Sequence, residues 1–266
     1  MTVNTINDWY GRFGNNVQQI CNAILFSELN GHGFISPDHE HVNPIYFNSK
    51  QDDLINGSNQ FFYYEGEFKT FDIDLNYLYK NIRRVSLQYI FPQFKFKVEE
   101  PFDDDTLVIH LRSGDMFFRD DGAPPHPEYY PNPLCYFLSL IEDYPKVLIV
   151  KEPDNYHPVI NELKKIDKVQ MQSTTVAGDF STLLRAKNLA SSGTGTFPIA
   201  SALCSSNIKN FYCSDIYLKG HLNPEMLMAS EDIQVYMMEL PNYIKEDRWV
   251  KSEEQVDRIL SYKIEE

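Results

Sequence analysis

Apolar residues fall along this chain in two rhythms. Across residues 15–29, Val17, Ile20, Cys21, Ile24 and Leu25 recur at three- and four-residue steps, the period of a helix with one buried face, and Asn30-Gly31 closes the run. Residues 75–91 repeat that period through Leu75, Leu78, Ile82, Val85 and Tyr89 and stop before Pro92. From residue 106 onward the pattern changes. Short, unbroken apolar runs at 106–111, in KVLIVKEP, in KVQMQS, at 188–190 and in NIKNFYCSD predict buried strands. Helical periods at 134–142, in NYHPVINELKKI, at 180–187 and from Phe197 lie between them, and this alternation implies a parallel sheet.

The first half is less regular. HGFISP predicts a strand after the first helix, while IYFNS and NQFFYYEGEF fit short strands or substrate-facing loops equally. Phe61, Phe62, Tyr63 and Tyr64 read as core in preference to a sugar-stacking platform. QFKFKVEEPFDDD is the expected boundary, dividing the chain into residues 1–104 and 105–266. A length of 266 residues suits one or two domains, and no internal repeat or low-complexity linker interrupts them.

Chemistry-bearing residues sit where strands give way to loops. In open α/β sheets ligands bind beyond the carboxyl ends of strands, and DDDTLVIHLRSGDMFFRDD places His110, Arg112 and Asp115 there. An ordinary surface pair between Arg112 and Asp115 is the alternative. GRFGNN, with two glycines before a helix, either caps that helix or turns its free N–H groups toward a ligand. Residues 191–196, SSGTGT, lie between a strand end and a helix start. Their hydroxyls and N–H groups either cradle a phosphate or cap the helix, and without a GK[ST] they are not a Walker A loop. GAPPHPEYYPNP is a Pro-rich loop suited to one wall of a cleft. Three such sites indicate a nucleotide-type ligand held between two α/β halves.

Charge narrows the partners. A formal net charge of -14 with no Lys/Arg-rich block excludes a general nucleic-acid binder, although a few arginines in one pocket can hold a phosphorylated ligand. Cys21, Cys135, Cys204 and Cys213 show no metal-ligand spacing, which points to a reducing compartment and no structural zinc. The N-terminus has no basic or apolar leader pattern and no window reaches membrane-span length, so a cytoplasmic protein without an integral membrane segment is expected. Asp103-Asp104-Asp105 and Asp72-Ile73-Asp74 match the DxD pattern of metal-dependent transferases. The first precedes its strand instead of following it, and both read as solvated acidic segments.

GRFGNN, HLRSGD and DFSTLLRAKNLASSGTGTF stand in the order and approximate spacing of three motifs of the fucosyltransferase superfamily, which includes α-1,2-, α-1,6- and protein O-fucosyltransferases; across residues 11–203 the chain resembles that family. Asn16 stands where the family usually has Gln, HLRSGD lacks the second arginine of the HxRR form, and Gly195-Thr196-Phe197 replaces a Ser-Ser-Phe or Ser-Thr-Phe run. The resemblance implies a GT-B-like α/β fold of two Rossmann-like halves around a central cleft. Residues 1–104 would form the acceptor side and 105–266 the nucleotide-sugar side, with the last helix free to pack back on the first half. It further implies inverting transfer of fucose from GDP-fucose to a glycan hydroxyl, without a metal ion or other cofactor.

By the same resemblance, Arg112 would neutralise the departing diphosphate, and Arg12 and Asn15, beside Gly14, would reach the β-phosphate and sugar. Thr194, Gly195, Thr196 and Phe197 would hold the phosphates, Asp179 the guanine edge, and His110 and Asp115 would complete the donor site. Asp120 is the expected general base, with Asp115, Asp121 and His126 also in reach. An envelope-polysaccharide enzyme of another kind, such as a pyruvyl-transferase-like protein, and a non-catalytic nucleotide- or glycan-binding module remain the alternatives.

Overall fold

The chain is seen as a computed structural model that describes residues 1–58, 60–64, 66, 74–118, 124–243 and 248–264. The fold is α/β, with two α/β halves around a cleft. In the first half β1 (Val3–Thr5), α1 (Phe13–Leu29) and β2 (Gly33–Ile35) form one parallel βαβ unit, and β3 (Tyr46–Phe47) adds an antiparallel edge. The half then runs through α2 (Leu75–Val85), a π-helical turn over Ser86–Ile90 and a 3₁₀ turn over Phe91–Gln93 that accommodates Pro92.

The second half is a six-stranded sheet: β4 (Thr106–Leu111), β5 (Lys146–Lys151), β6 (Val169–Gln172), β7 (Asn188–Ala190), β8 (Asn210–Ser214) and β9 (Gln234–Met238). Every pair is parallel, in the spatial order β6-β5-β4-β7-β8-β9. All six residues of β4 are buried, which explains why that strand reads as a continuous apolar run: helices cover both faces of a parallel sheet. The helices are α3 (Leu134–Glu142), α4 (Val159–Leu163), α5 (Val176–Leu184), α6 (Phe197–Cys204), α7 (Pro224–Met228) and α8 (Glu253–Ser261). The chain builds outward from β4 to β6, then returns to β4's other side as β7. The switch point therefore lies between β4 and β7, and a crevice opens beyond their carboxyl ends.

Several details depart from the sequence pattern. The helix expected at 180–187 begins at Val176, because the Thr175 side chain accepts from the Gly178 N–H and caps it. Elements β1, α7 and β9 carry too few periodic residues to stand out. The last helix packs on α3 in the second half, where Ile259 is fully buried, and just ahead of it the Trp249 indole donates to the Met116 carbonyl at 2.7 Å. The aromatic run also divides. Phe61 is buried, Tyr64 is 40% exposed and Tyr63 lines the cleft. Among the described residues no helix is long and apolar enough to cross a membrane.

The two halves share one core. Val17, Ile20 and Ile24 of α1 lie in the same buried cluster as Ala200 and Leu203 of α6 and Phe180 of α5. With both sides so apolar, α1 keeps few polar faces, and its polar residues are buried and put to use. Gln19 donates to the Phe61 carbonyl at 2.7 Å and accepts from the Tyr10 N–H at 2.9 Å, fixing the loop ahead of the helix. Arg83 on α2 reaches into the second half. It donates to the carbonyls of Ala202 at 2.7 Å and Ser205 at 3.0 Å, satisfying the open end of α6, and pairs with Asp232 at 2.6 Å.

Two outcomes follow from this shared core. Denaturant unfolding monitored by far-ultraviolet dichroism and by tryptophan fluorescence should give one coincident transition. Arg83→Ala should lower stability by about 2–4 kcal/mol, because it leaves buried carbonyls unsatisfied. Separate transitions for the two halves would show that the shared core does not couple them.

Candidate active site

Four loops meet at the switch-point crevice, which holds a cavity of about 760 Å³. The loop after β4 contributes His110, Arg112 and Asp115, the loop after β5 contributes Glu152 and Asp154, and the loop after β7 contributes residues 193–197. The fourth comes from the first half, where Gly11 to Asn16 lead into α1. Gly11 has a φ of +72°, a left-handed turn that glycine adopts without strain and that delivers Arg12 to the cavity just before the helix begins.

The centre of the site is a carboxylate between two guanidiniums. Asp115 Oδ1 accepts from Arg12 Nη2 at 2.9 Å and from Arg112 Nη2 at 3.0 Å, so arginines from opposite halves converge on one oxygen. Arg12 also pairs with Glu152. Burial opposes its charge, but the carboxylates of Glu152 and Asp115 outweigh that and raise the guanidinium's pKa. Arg112 is locked more tightly. Its Nη1 donates to the Thr194 carbonyl at 3.1 Å, its backbone N–H donates to Ser192 Oγ at 2.9 Å, and its guanidinium lies 4.2 Å over the Tyr129 ring. His110, behind it, stays neutral: burial, then the charges of Arg112 and Arg12, lower its pKa to about 3.

The loop after β7 is held against both halves. Thr196 Oγ1 donates to Asn15 Oδ1 at 2.7 Å. A Cβ on Gly14 would lie 2.7 Å from Thr196 Oγ1 and 2.9 Å from the Phe197 nitrogen, so the two backbones meet only because residue 14 has no side chain. Gly193 has a φ of +104°, and a Cβ there would lie 2.4 Å from the Tyr130 carbonyl oxygen; Asn132 N–H donates to the Ser192 carbonyl at 3.0 Å. The Pro-rich segment thus forms a wall that carries the loop.

Asp179 lines the cavity from the first turn of α5. Its Oδ1 accepts from Thr174 Oγ1 at 2.7 Å and Gln172 Nε2 at 3.1 Å. Arg12, Gly14, Asn15, His110, Arg112, Asp115, Asp179, Thr194, Gly195, Thr196 and Phe197 all line this one cavity. Asp120 and Asp121 lie outside the described residues, as do Asp72 and Ile73. Asp103, Asp104 and Asp105 sit at the opposite, amino edge of the sheet, where Lys146, Lys187 and Lys209 pair with them.

Sequence reasoning passed over Glu152, Asp154 and Tyr129. Glu152 accepts from the Ser113 N–H and Asp154 from the Gly114 N–H, each at 3.0 Å, so both shape the turn that carries Asp115. Lys151 locks their loop by donating to the carbonyls of Glu152 at 2.9 Å and Asp154 at 2.7 Å. The signal was present, since KEPD follows a buried strand as HLRSGD does.

No protein-family model matches the chain, and no curated protein matches it. Among solved structures it is similar to crystal structures of POFUT1, a protein O-fucosyltransferase. One, in complex with GDP, is 12% identical with a TM-score of 0.44, covering 80% of this chain and 98% of the other. The apo form is 11% identical with a TM-score of 0.43, covering 76% and 94%. Overlap of this extent assigns neither ligand nor residue roles.

Gly14→Ala separates two effects of opposite sign. Alanine gains roughly 1 kcal/mol of helix propensity, whereas overpacking against an unyielding backbone costs about 1–3 kcal/mol. The variant should melt at a lower temperature than the parent. A stabilised variant would mean that the loop after β7 gives way freely.

Proposed function

We propose that this chain is an inverting glycosyltransferase that moves a sugar, fucose in the reading its motifs favour, from a GDP-sugar to a glycan hydroxyl. The observation that carries the reading is the convergence of Arg12 and Arg112 on Asp115 Oδ1. That oxygen marks a point where two guanidiniums from opposite halves already hold one negative atom, as they would hold a diphosphate oxygen. The cavity of about 760 Å³ falls within the range of small-ligand pockets, roughly 300–1,000 Å³.

In that role the donor diphosphate takes over the guanidinium contacts that Asp115 makes. The acceptor oxygen attacks the sugar's anomeric carbon as the bond to the diphosphate breaks, and negative charge collects on the departing oxygens. Arg112, rigidly held by Thr194, Ser192 and Tyr129, faces that charge in a fixed position, so little reorganisation is needed as it forms. The two arginines supply the countercharge that a divalent cation supplies in DxD enzymes. Asn15 and Thr196, hydrogen-bonded to each other across the cleft, bring both halves against the sugar and β-phosphate. Asp179, on the lining of the same cavity, is the carboxylate assigned in this reading to the guanine N–H groups.

GDP should raise the melting temperature without added divalent metal, and EDTA should leave the shift intact. An equal shift from UDP would contradict guanine selection. Arg112→Ala should lower kcat/KM by roughly 10²–10³ with the fold preserved, and Arg112→Lys should recover only part, since a point charge cannot reproduce the fork. Near-parental turnover in Arg112→Ala would remove the central residue of this reading.

A further inference from the structure

The wall of the cavity nearest Tyr129 carries a second group of residues that the donor site does not use. The loop between β8 and α7 brings His221 to the cavity, where its imidazole lies 5.4 Å from the ring of Tyr63, a first-half residue on the same wall. His126 stacks on the outer face of Tyr129 at 4.3 Å, while Arg112 lies over the same ring at 4.2 Å. The result is a mouth of aromatic rings beside the diphosphate-binding arginine, open to the cleft from both halves.

His221 is only half-buried, yet its backbone is fixed from two sides. Gln18 on α1 accepts from the Leu222 N–H at 3.0 Å, and Asn223, itself fully buried, donates to the His221 carbonyl at 3.0 Å. The ring nitrogens have no hydrogen-bond partner among the described residues. An imidazole held this rigidly in a ligand cavity, with neither nitrogen bonded among the described residues, is positioned to bond something that enters the cavity.

Resting on the reading of the site as a glycosyltransferase, we propose that His221 is the acceptor-side general base, taking the proton of the acceptor hydroxyl. In this step the acceptor O–H bond breaks and its proton goes to a ring nitrogen of His221. The oxygen bonds to the anomeric carbon, and the electron pair of the carbon–diphosphate bond leaves on the diphosphate. The imidazolium then returns its proton to solvent. In-line displacement requires acceptor and diphosphate to flank the anomeric carbon from opposite sides, with Arg112 on the side of the diphosphate. Tyr63, beside His221 on the cavity lining, offers its ring to the acceptor's apolar surface.

The electrostatics agree with a base. Burial is the main effect lowering the His221 pKa; His126 and Arg112 lower it further and Glu128 partly opposes them. The imidazole is therefore neutral and able to accept a proton at pH 7. Because its conjugate acid forms only below the ordinary histidine range, turnover should fall on the acid side as His221 protonates.

Water can stand in for the acceptor, so the test uses GDP-fucose alone and measures GDP release across pH, beside the melting shift produced by GDP. His221→Gln keeps a polar group of similar length. It should leave the GDP shift unchanged, slow GDP release by roughly 10² or more, and abolish the acid limb of the profile. His221→Asn, a shorter side chain that relieves any packing strain, should do the same. Parental release and an intact acid limb, with the GDP shift preserved, would overturn the role of His221 and leave the donor reading standing. No GDP shift in the parent protein would overturn the donor reading, and the assignment of His221 with it.

Discussion

The meeting of Arg12 and Arg112 at Asp115 is the contact on which the rest of the arrangement depends. Two guanidiniums pointed at the same place repel unless something negative stands between them, and Asp115 does so with Glu152 beside it. The sheet topology determines where this can happen. Only at the switch point between β4 and β7 do the loops of neighbouring strands diverge enough to admit a ligand, and Arg112 is the first residue beyond β4. Bringing Arg12 to the same point requires α1 to lie against α6, and this is what the shared core and the missing side chain at Gly14 achieve.

Electrostatics and packing thus support each other. Arg83 clamps the carboxyl end of α6 while Gly14 allows close approach at its amino end, so the helix carrying Phe197 is held along its length by the first half. Glu152 and Asp154 do for the turn after β4 what Arg83 does for α6: they satisfy backbone groups that would otherwise be free in a polar crevice. Arg112 and Asp115 rest on a turn whose backbone N–H groups are bonded by Ser192, Glu152 and Asp154. That rigidity suits electrostatic stabilisation of a developing charge, which loses value wherever the stabilising groups must first rearrange.

Local signals make much of this legible in the sequence. The strands at 106–111 and 188–190 and the helix from Phe197 appear at those positions because each is a strongly patterned run bounded by polar or glycine residues. The gathering of GRFGNN, HLRSGD and SSGTGT around one cavity was expected from their resemblance to known motifs, since nothing in local sequence compels distant loops to meet. What sequence concealed was non-local. Gln18, Gln19 and Asn22 look like the polar face of a surface helix, yet they are buried because loops and a second half cover them. Arg83 reads as a surface charge until α6 is seen ending against it. His221 stands in a stretch with no periodicity, and only its tether to Gln18 reveals that it faces the cleft.

The claim that both arginines serve one anion is tested most directly by a double-mutant cycle on GDP binding, measured by calorimetry at fixed ionic strength. Arg12→Ala, Arg112→Ala and the double variant should show a coupling of about 0.5–3 kcal/mol, because the diphosphate contacts of each guanidinium depend on the other. Losses that simply add would place the two guanidiniums on independent tasks and contradict the account.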